Sequence, residues 1–552
     1  MMTNSPSTSE IDPIELDLSE AYGNRHFASV YSFRDRLAAA FSRLTNTLDA
    51  HPVVSFLLLV IVFVPAVLGR SLEKPLWHDE LFTFYISQSP DWSSLLWKTR
   101  HIDLNPPLSY LLTKVSFSLF GINTLTTRLP EMAGFLLAML SLFLFVRRRT
   151  GTLYGLLAAT LLFTGAAGEL AIEARPYGLL LGFGSLSLLA WQKARAHDRF
   201  AIPLLLIGGF GMLLSHVFTV FIWGILAAAE VVRIALRRQI DWQLVIAWIL
   251  PLVSIATYLP ILHTHGASIF PAAFLPNAKS ILVFYESRTE PEIVCLLLTG
   301  LVMVVLVGRR AFQGARTWFL SVAEMTSILL LIAIPIVLVI DLRHSHAVFF
   351  SRYATAGSIG ISVFAAILLA RWTALDTRAP VVCGVIALLT AGQLRLSGEL
   401  RDAVRAVLHQ HILTQTEPVF EPCQTCVLTK QLDASIPLVD ASGLTFLEMD
   451  HREDAATLSR VFYLTDPAAS FQFAHANIFE SMVLEHSVFP MRANVSTYSD
   501  FIQHHRRFFV LGQYDYAEDW LLRKLQADGA SLRMLGPTTN SYKDKDLYEI
   551  SF

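Results

Sequence analysis

Charged side chains make up only 16% of the 552 residues, while 53% are hydrophobic. So little charge cannot clothe a soluble protein of this length, and the charge that exists is gathered between apolar runs of 15 to 20 residues. There are only four cysteines, too few for a disulfide-built scaffold. Gly512-Gln513-Tyr514, in the tail, lacks a G-x-G-x-x-G or P-loop, so no nucleotide is expected, and the division of charge into a basic membrane half and an acidic tail argues against nucleic acid. Residues 1–50 lack the charged, apolar, small-residue order of a cleaved signal. They open on a Ser-, Pro- and acid-rich stretch expected to be disordered, and then place Phe33, Leu37, Phe41, Leu44 and Leu48 at helical spacing beside Arg34, Arg36 and Arg43. That pattern fits a helix lying on the cytoplasmic membrane surface.

What is present is a polytopic α-helical membrane protein followed by a soluble tail. Spans are expected near residues 52–69, 129–146, 152–168, 177–192, 200–215, 217–232, 244–262, 293–307, 322–340, 354–371 and 380–396, eleven in all. Pro106 to Phe120 is apolar but short, carries Lys114, and is read as interfacial. With that choice Arg147–Arg149, Lys193/Arg195/Arg199, Arg233/Arg237/Arg238, Arg309/Arg310/Arg316 and Arg371/Arg378 all fall on the side of the N-terminus, as the positive-inside rule requires. Counting it as a span would turn every cluster outward.

The same topology gathers the remaining polar chemistry on the outer face: residues 70–128, Glu169 to Tyr177, Ser215-His216, His263 to Pro291, and Asp341 to Tyr353. A transporter tends to place ionisable residues mid-span, around a central binding site. The outward bias favours an enzyme working at the outer membrane surface. A transporter or lipid flippase, or a non-catalytic scaffold for the tail, are the alternatives; the first should need charged residues facing an internal cavity and tolerate loss of Asp79, and the second should tolerate loss of every site residue.

The centre of that outer chemistry is Leu76-Trp77-His78-Asp79-Glu80, two adjacent carboxylates just beyond the first apolar run. After it, Ser89-Pro90-Asp91-Trp92 suggests a helix with Ser89 as N-cap and Pro90 in the first turn, running to about Arg100 with Trp92, Leu95, Leu96 and Trp97 toward lipid. Its basic end, Lys98, Arg100 and His101, could meet a lipid phosphate or simply snorkel. Asp103-Leu104-Asn105-Pro106-Pro107 then breaks the chain.

Read in order, Leu76–Glu80, Asp103–Tyr110, Leu119-Phe120-Gly121 and Arg128-Leu129-Pro130 resemble the membrane glycosyltransferases of the GT-C fold. Among these the similarity is to the dolichyl- or undecaprenyl-phosphate-sugar enzymes, such as protein O-mannosyltransferases and lipid A aminoarabinose transferases. It continues in Glu173-Ala174-Arg175-Pro176-Tyr177, in His216 and in Ser351-Arg352-Tyr353, and covers roughly residues 50–396.

The resemblance implies that Asp79 is the catalytic carboxylate. The chemistry asks for one independently: an acceptor hydroxyl attacking the anomeric carbon of a polyprenyl-phosphate sugar needs a base to take its proton, and one direct displacement inverts that carbon. Arg175 and Arg352 follow span ends on the outer side and suit the leaving phosphate. Arg175 could instead pair with Glu173. Tyr353, Glu173, Tyr177 and His216 join the donor site through the same motifs, and His101, Asp103 and Asn105 form a candidate substrate loop. The aminoarabinose transferases carry Lys where this chain has Asn105, so their phosphate contact there is not expected here.

Glu80 cannot duplicate Asp79, since neighbours on a helix point about 100° apart. It orients an Arg or His, or helps to bind a divalent metal, for which Asp79, Glu173 and His216 are a partial ligand set. No other cofactor is implied. The expected partners are the bilayer, the lipid-linked donor and a lipid, polysaccharide or protein acceptor.

Residues 397–552 hold 13 Lys and Arg against 21 Asp and Glu, a balance of −8 that leaves +6 for the chain before them. An amphipathic helix at 398–415 leads into a small α/β domain, with strands at Ile436–Asp440, Val461–Thr465, Arg507–Leu511 and Ser531–Leu535 and a helix over Tyr516–Asp528 stopped at Gly529. Eleven spans put this domain outside, in the periplasm of a bacterial inner membrane, where Cys423 and Cys426 are expected to form a short-loop disulfide.

Overall fold

The computed structural model describes residues 42–103, 105–194, 198–259, 275–289, 319–373, 435–475, 489–514, 520–537 and 545–552, with positions 39, 293 and 433. The expected spans at 293–307 and 380–396, the connecting helix at 398–415 and the Cys423–Cys426 pair lie outside these residues.

Among the described residues, three helices are long and apolar enough to cross a membrane, Pro52–Glu73, Thr124–Thr150 and Thr219–Arg237. The number rises to five if two bent pairs, Thr152–Thr164 with Ala166–Ile172 and Val322–Ile332 with Ile334–His344, each count as one span. Shorter apolar helices occupy Ala201–Leu213, Trp242–Thr257 and Gly357–Arg371, and Tyr177–Ala194 is almost wholly buried between its neighbours. Helix thus occurs at nine of the eleven expected spans, but several pieces are shorter or more bent than one straight crossing.

Local chemistry sets these boundaries. Thr124–Thr150 starts at Asn123, whose Oδ1 accepts from the Thr126 amide at 2.9 Å while Thr126 Oγ1 accepts from the Asn123 amide at 3.0 Å. It ends in Arg147, Arg148 and Arg149, against the negative end of the helix dipole. Gly151, at φ +96°, then turns the chain directly into Thr152–Thr164. Arg149 and Gln192 both donate to Glu324, at 2.5 and 3.2 Å, tying three helices together at one end. Thr124–Thr150 packs most extensively against Tyr177–Ala194, where Gly178 and Gly182 let the backbones close up: a Cβ at either would collide with the main chain of Glu131 or Gly134.

The expected straight span at 152–168 is broken. After Thr164 the chain bends by 71° into a 3-10 turn, Ala166–Ile172, and this bend carries residues 173–177 back toward Asp79. The helix expected to begin at Ser89 begins later, at Trp92, because the Asp91 carboxylate reaches the Ser94 amide at 2.7 Å whereas the Ser89 hydroxyl turns back to Ile86 O. Trp92 and Trp97 on it are exposed as expected, but Leu95 is buried in one apolar cluster with Leu76 and Leu81. The Pro106–Phe120 segment forms the helix Leu108–Phe120, packed on Thr124–Thr150 and on His78–Ser87.

The C-terminal region is a six-stranded sheet in the order β3-β2-β1-β4-β6-β5. Strands β1 (Leu438–Asp440), β2 (Val461–Thr465), β3 (Asn494–Thr497) and β4 (Arg507–Gly512) run parallel; β5 (Ser531–Pro537) and β6 (Asp546–Ser551) close it antiparallel. Strands β3 and β6 were not expected. The first is a polar, half-buried stretch with no apolar alternation, and the second follows a charged run that reads as loop. The helix over Trp520–Ala527 lies within the expected one, and Gly529, at φ +86°, ends it.

Candidate active site

The motif Leu76–Glu80 starts a helix, His78–Ser87, with Trp77 as N-cap; Glu80, in the third position, accepts from the Trp77 amide at 3.3 Å. From this start the two carboxylates part. Glu80 is fully buried and forks onto Arg128, which donates from Nε at 2.7 Å and from Nη2 at 2.6 Å. The remaining guanidinium protons go to main-chain oxygens: Nη1 to Ser71 and Lys74, both at 2.7 Å, and Nη2 to Pro75 at 3.1 Å. All five donors of a buried Arg are therefore satisfied. Glu80 also accepts from the Ala174 amide at 2.7 Å. Glu80 is thus the buried ion-pair partner of Arg128.

Asp79 points the other way. Its Oδ2 lies 2.8 Å from Arg352 Nη2, and its carboxylate keeps 19% exposure, enough to meet a ligand. Arg352 lies across Trp77 and Phe350, 5.2 and 5.0 Å from the ring centres. Arg175 donates from Nη1 to the main-chain oxygen of Asp79 at 3.1 Å and pairs with Asp103, at 2.6 Å from Nη1 and 3.2 Å from Nη2. Asp103 is held in turn by the Tyr110 hydroxyl at 2.5 Å, and the buried Asn105 amide folds back on Asp103 O at 3.1 Å. The alternative pairing of Arg175 with Glu173 is thus replaced. Glu173 bonds Lys74 at 3.0 Å.

Burial works against the charge on Arg175, but Asp103 and then Asp79 hold it well above the ordinary guanidinium range. Arg352 is likewise held up against its burial, by Tyr177 and Asp79. Both are locked as cations. The Nε of each is buried and makes no hydrogen bond among the described residues, so each keeps a donor for a ligand or water.

An aromatic wall stands beside Arg352. The buried His216 ring sits 5.3 Å from Tyr177 and 6.0 Å from Tyr353, with Phe218 4.8 Å from Tyr353. His216 Nδ1 accepts from the Phe218 amide at 3.2 Å, an assignment that follows from the donor being a backbone N–H. Among the described residues no three His, Cys, Asp or Glu side chains gather as a metal site. Asp79, Glu173 and His216 are each turned to a different partner. His101 does not reach the site either: it is exposed and stacks on Trp97 at 4.6 Å.

Three participants escaped the sequence reading. Arg128 was visible only as part of a motif. Arg288, at the end of helix Ala278–Arg288, is buried with Nε and Nη1 unbonded among the described residues; burial lowers its pKa, and Glu173, Tyr177 and Glu169 pull it back up. Glu448, from the sheet-bearing region, bonds His78.

No family model and no curated protein matches this sequence. Solved structures do. ArnT from Cupriavidus metallidurans in the apo state aligns with a TM-score of 0.50 at 14% identity, over 90% of this chain and 97% of that one. The chain has the GT-C fold. The same ArnT bound to undecaprenyl phosphate aligns at 0.45 and 13% identity over the same shares, and the Archaeoglobus fulgidus oligosaccharyltransferase in the apo form at 0.40 and 14%, over 84% of this chain and 69% of that one. The alignment with apo ArnT covers 90% of this chain, whereas the resembling motifs run only from Leu76 to Tyr353.

Proposed function

We propose that this chain is a membrane glycosyltransferase that moves a sugar from a polyprenyl-phosphate donor to a hydroxyl at the outer membrane surface, by an inverting displacement with Asp79 as general base. The observation that carries this reading is Asp79 itself: a partly exposed carboxylate with one cation on its Oδ2 and a second on its main-chain oxygen. ArnT, which shares the fold, has been crystallised with undecaprenyl phosphate.

In the resting site Arg352 neutralises Asp79. A donor phosphate competes for that guanidinium, and once Arg352 turns to it, Asp79 is free to accept a proton. The acceptor O–H then gives its proton to Asp79 while its oxygen attacks the anomeric carbon. The bond from that carbon to the phosphate oxygen breaks, and its electron pair leaves on the phosphate between Arg352 and Arg175. The domain division at residues 50 and 396, the eleven-span topology and a bacterial inner membrane with the active centre on the periplasmic side belong to the same proposal.

The test is purified protein in liposomes with a panel of polyprenyl-phosphate sugars, scoring release of polyprenyl phosphate. Silence across all donors with a crude membrane acceptor mix would overturn the proposal. In the same assay Arg352→Ala is expected to weaken donor use by about 1.5–3 kcal/mol, the worth of a charged hydrogen bond, or roughly 10- to 150-fold in KM. A wild-type KM would remove Arg352 from the phosphate site. Reporter fusions are expected to place Arg147–Arg149 inside and residues 79 and 430 outside. Residues 147 and 430 on one side would end the eleven-span map.

A further inference from the structure

The sheet-bearing region sends a helix to the turn that carries Asp79. Helix Gly443–Arg452 follows β1. From it Glu448 Oε1 accepts two hydrogen bonds from His78, one from the backbone amide and one from ring Nδ1, each at 2.9 Å. Arg452 lies 3.3 Å from the other oxygen of Glu448 and donates from Nη2 to Leu76 O at 2.7 Å. Beneath these polar contacts Phe446, Leu447 and Met449 enter one buried cluster with Leu76, Leu81, Phe82 and Tyr85.

His78 is the first residue of the helix and Asp79 the second. The first amides of a helix have no partner within it, so the main-chain bond to Glu448 fixes how this helix begins and where its next side chain stands. The ring bond fixes the imidazole, whose Nε2 faces Asp79 Oδ1 at 3.8 Å. Burial pushes the Glu448 carboxyl up, and the hydrogen bond from His78 with the charge of Arg452 more than offsets this, leaving it ionised below the usual range. The apolar cluster already joins the two regions. A buried carboxylate adds desolvation cost to that contact, and every partner it has here is either the catalytic turn or the arginine that grips the same turn.

We infer that Glu448 is a positioning residue for the reaction at Asp79, so that the C-terminal region is a working part of the active centre. This rests on the reading of Asp79 as the base. What matters in such a role is reach: a residue that can still place an acceptor oxygen beside His78 preserves it, and one that falls short loses it.

The experiment compares Glu448→Gln, which keeps the length and an acceptor oxygen but loses the charge, with Glu448→Asp, which keeps the charge and shortens the arm. Full-length protein in liposomes is assayed by polyprenyl-phosphate release, with Asp79→Asn alongside. Glu448→Gln is expected to keep kcat within about threefold, and Glu448→Asp to lose on the order of 10-fold or more in kcat, as a displaced catalytic group does, with the donor KM unchanged. Wild-type kcat in Glu448→Asp, or a loss in Glu448→Gln that Glu448→Asp does not share, would overturn the inference and leave an ion pair with Arg452 in its place. Full activity in Asp79→Asn would instead bring down the reading of the base, which separates the two failures.

Discussion

Asp79→Asn is expected to insert, fold and hold a polyprenyl-phosphate sugar near normally, yet to transfer it at least ~100-fold more slowly, since a general base contributes ~10²–10⁴-fold. The substitution keeps the shape of the side chain and an acceptor oxygen for Arg352, but the amide cannot take the proton of an attacking hydroxyl. Little else should change. The Asp79 carboxylate is partly exposed and takes no part in the buried knot around Arg128, so its charge does not hold the turn in place. The Arg352 contact weakens in the variant, which frees a cation for the donor phosphate. The donor KM should therefore stay level while kcat drops, the signature of an interaction used only in the transition state, or fall as well to the extent that the Asp79–Arg352 pair had competed with the donor in the resting site. Steady-state kinetics and a single-turnover rate with pre-bound donor measure this. An unchanged rate would remove Asp79 from the role given to it.

Arg128→Ala is expected to be the most destabilising single change in the membrane region. It strands the Glu80 carboxylate in a fully buried position, an uncompensated charge that costs about 3–5 kcal/mol. It also takes the donors from Ser71 O, Lys74 O and Pro75 O, at about 1–3 kcal/mol for each that water does not reach. Together these approach the whole stability of an ordinary domain. Arg128→Lys should fall between, because an ammonium offers three donors from one point where the site takes five from a planar fork. Glu80→Gln should also destabilise, since it leaves the buried Arg128 guanidinium without its counter-charge, but by less than Arg128→Ala, because an amide oxygen remains for Arg128 and the Ala174 amide. Thermal unfolding in detergent, read as loss of monodisperse protein, gives the order. A Tm for Arg128→Ala within a few degrees of wild type would refute the account of the knot.

The turn at Leu76–Glu80 was legible in the sequence because two simple rules act on it. A long apolar run places it at the membrane boundary, and adjacent residues on a helix cannot face one way, so Asp79 and Glu80 had to take different work. Which arginine met which carboxylate was not legible. Arg175 stands two residues from Glu173, yet pairs with Asp103, because Glu173 is taken by Lys74 and the bend after Thr164 delivers Arg175 beside the Asp103 loop. Arg128 and Glu80 are 48 residues apart, and Glu448 and His78 are 370 apart, with no periodicity joining either pair. In the C-terminal region the apolar strands β1, β2, β4 and β5 announced themselves, and the polar β3 did not, since its pairing with β2 is carried by main-chain bonds and by the Asn494 amide reaching Val461 O.

The knot around Arg128 also bears on the order in which the chain is made. Glu80 and the oxygens of Ser71, Lys74 and Pro75 leave the ribosome before Arg128 does, and these four residues supply every bond that its guanidinium makes. Once the first two long helices have been threaded into the bilayer, the anchor of the Leu76–Glu80 turn can close from the nascent chain alone. Ala174, which adds its amide to Glu80, and Glu448, which bonds His78, are synthesised later, so their bonds can only be added after the residues of the knot are in place along the chain.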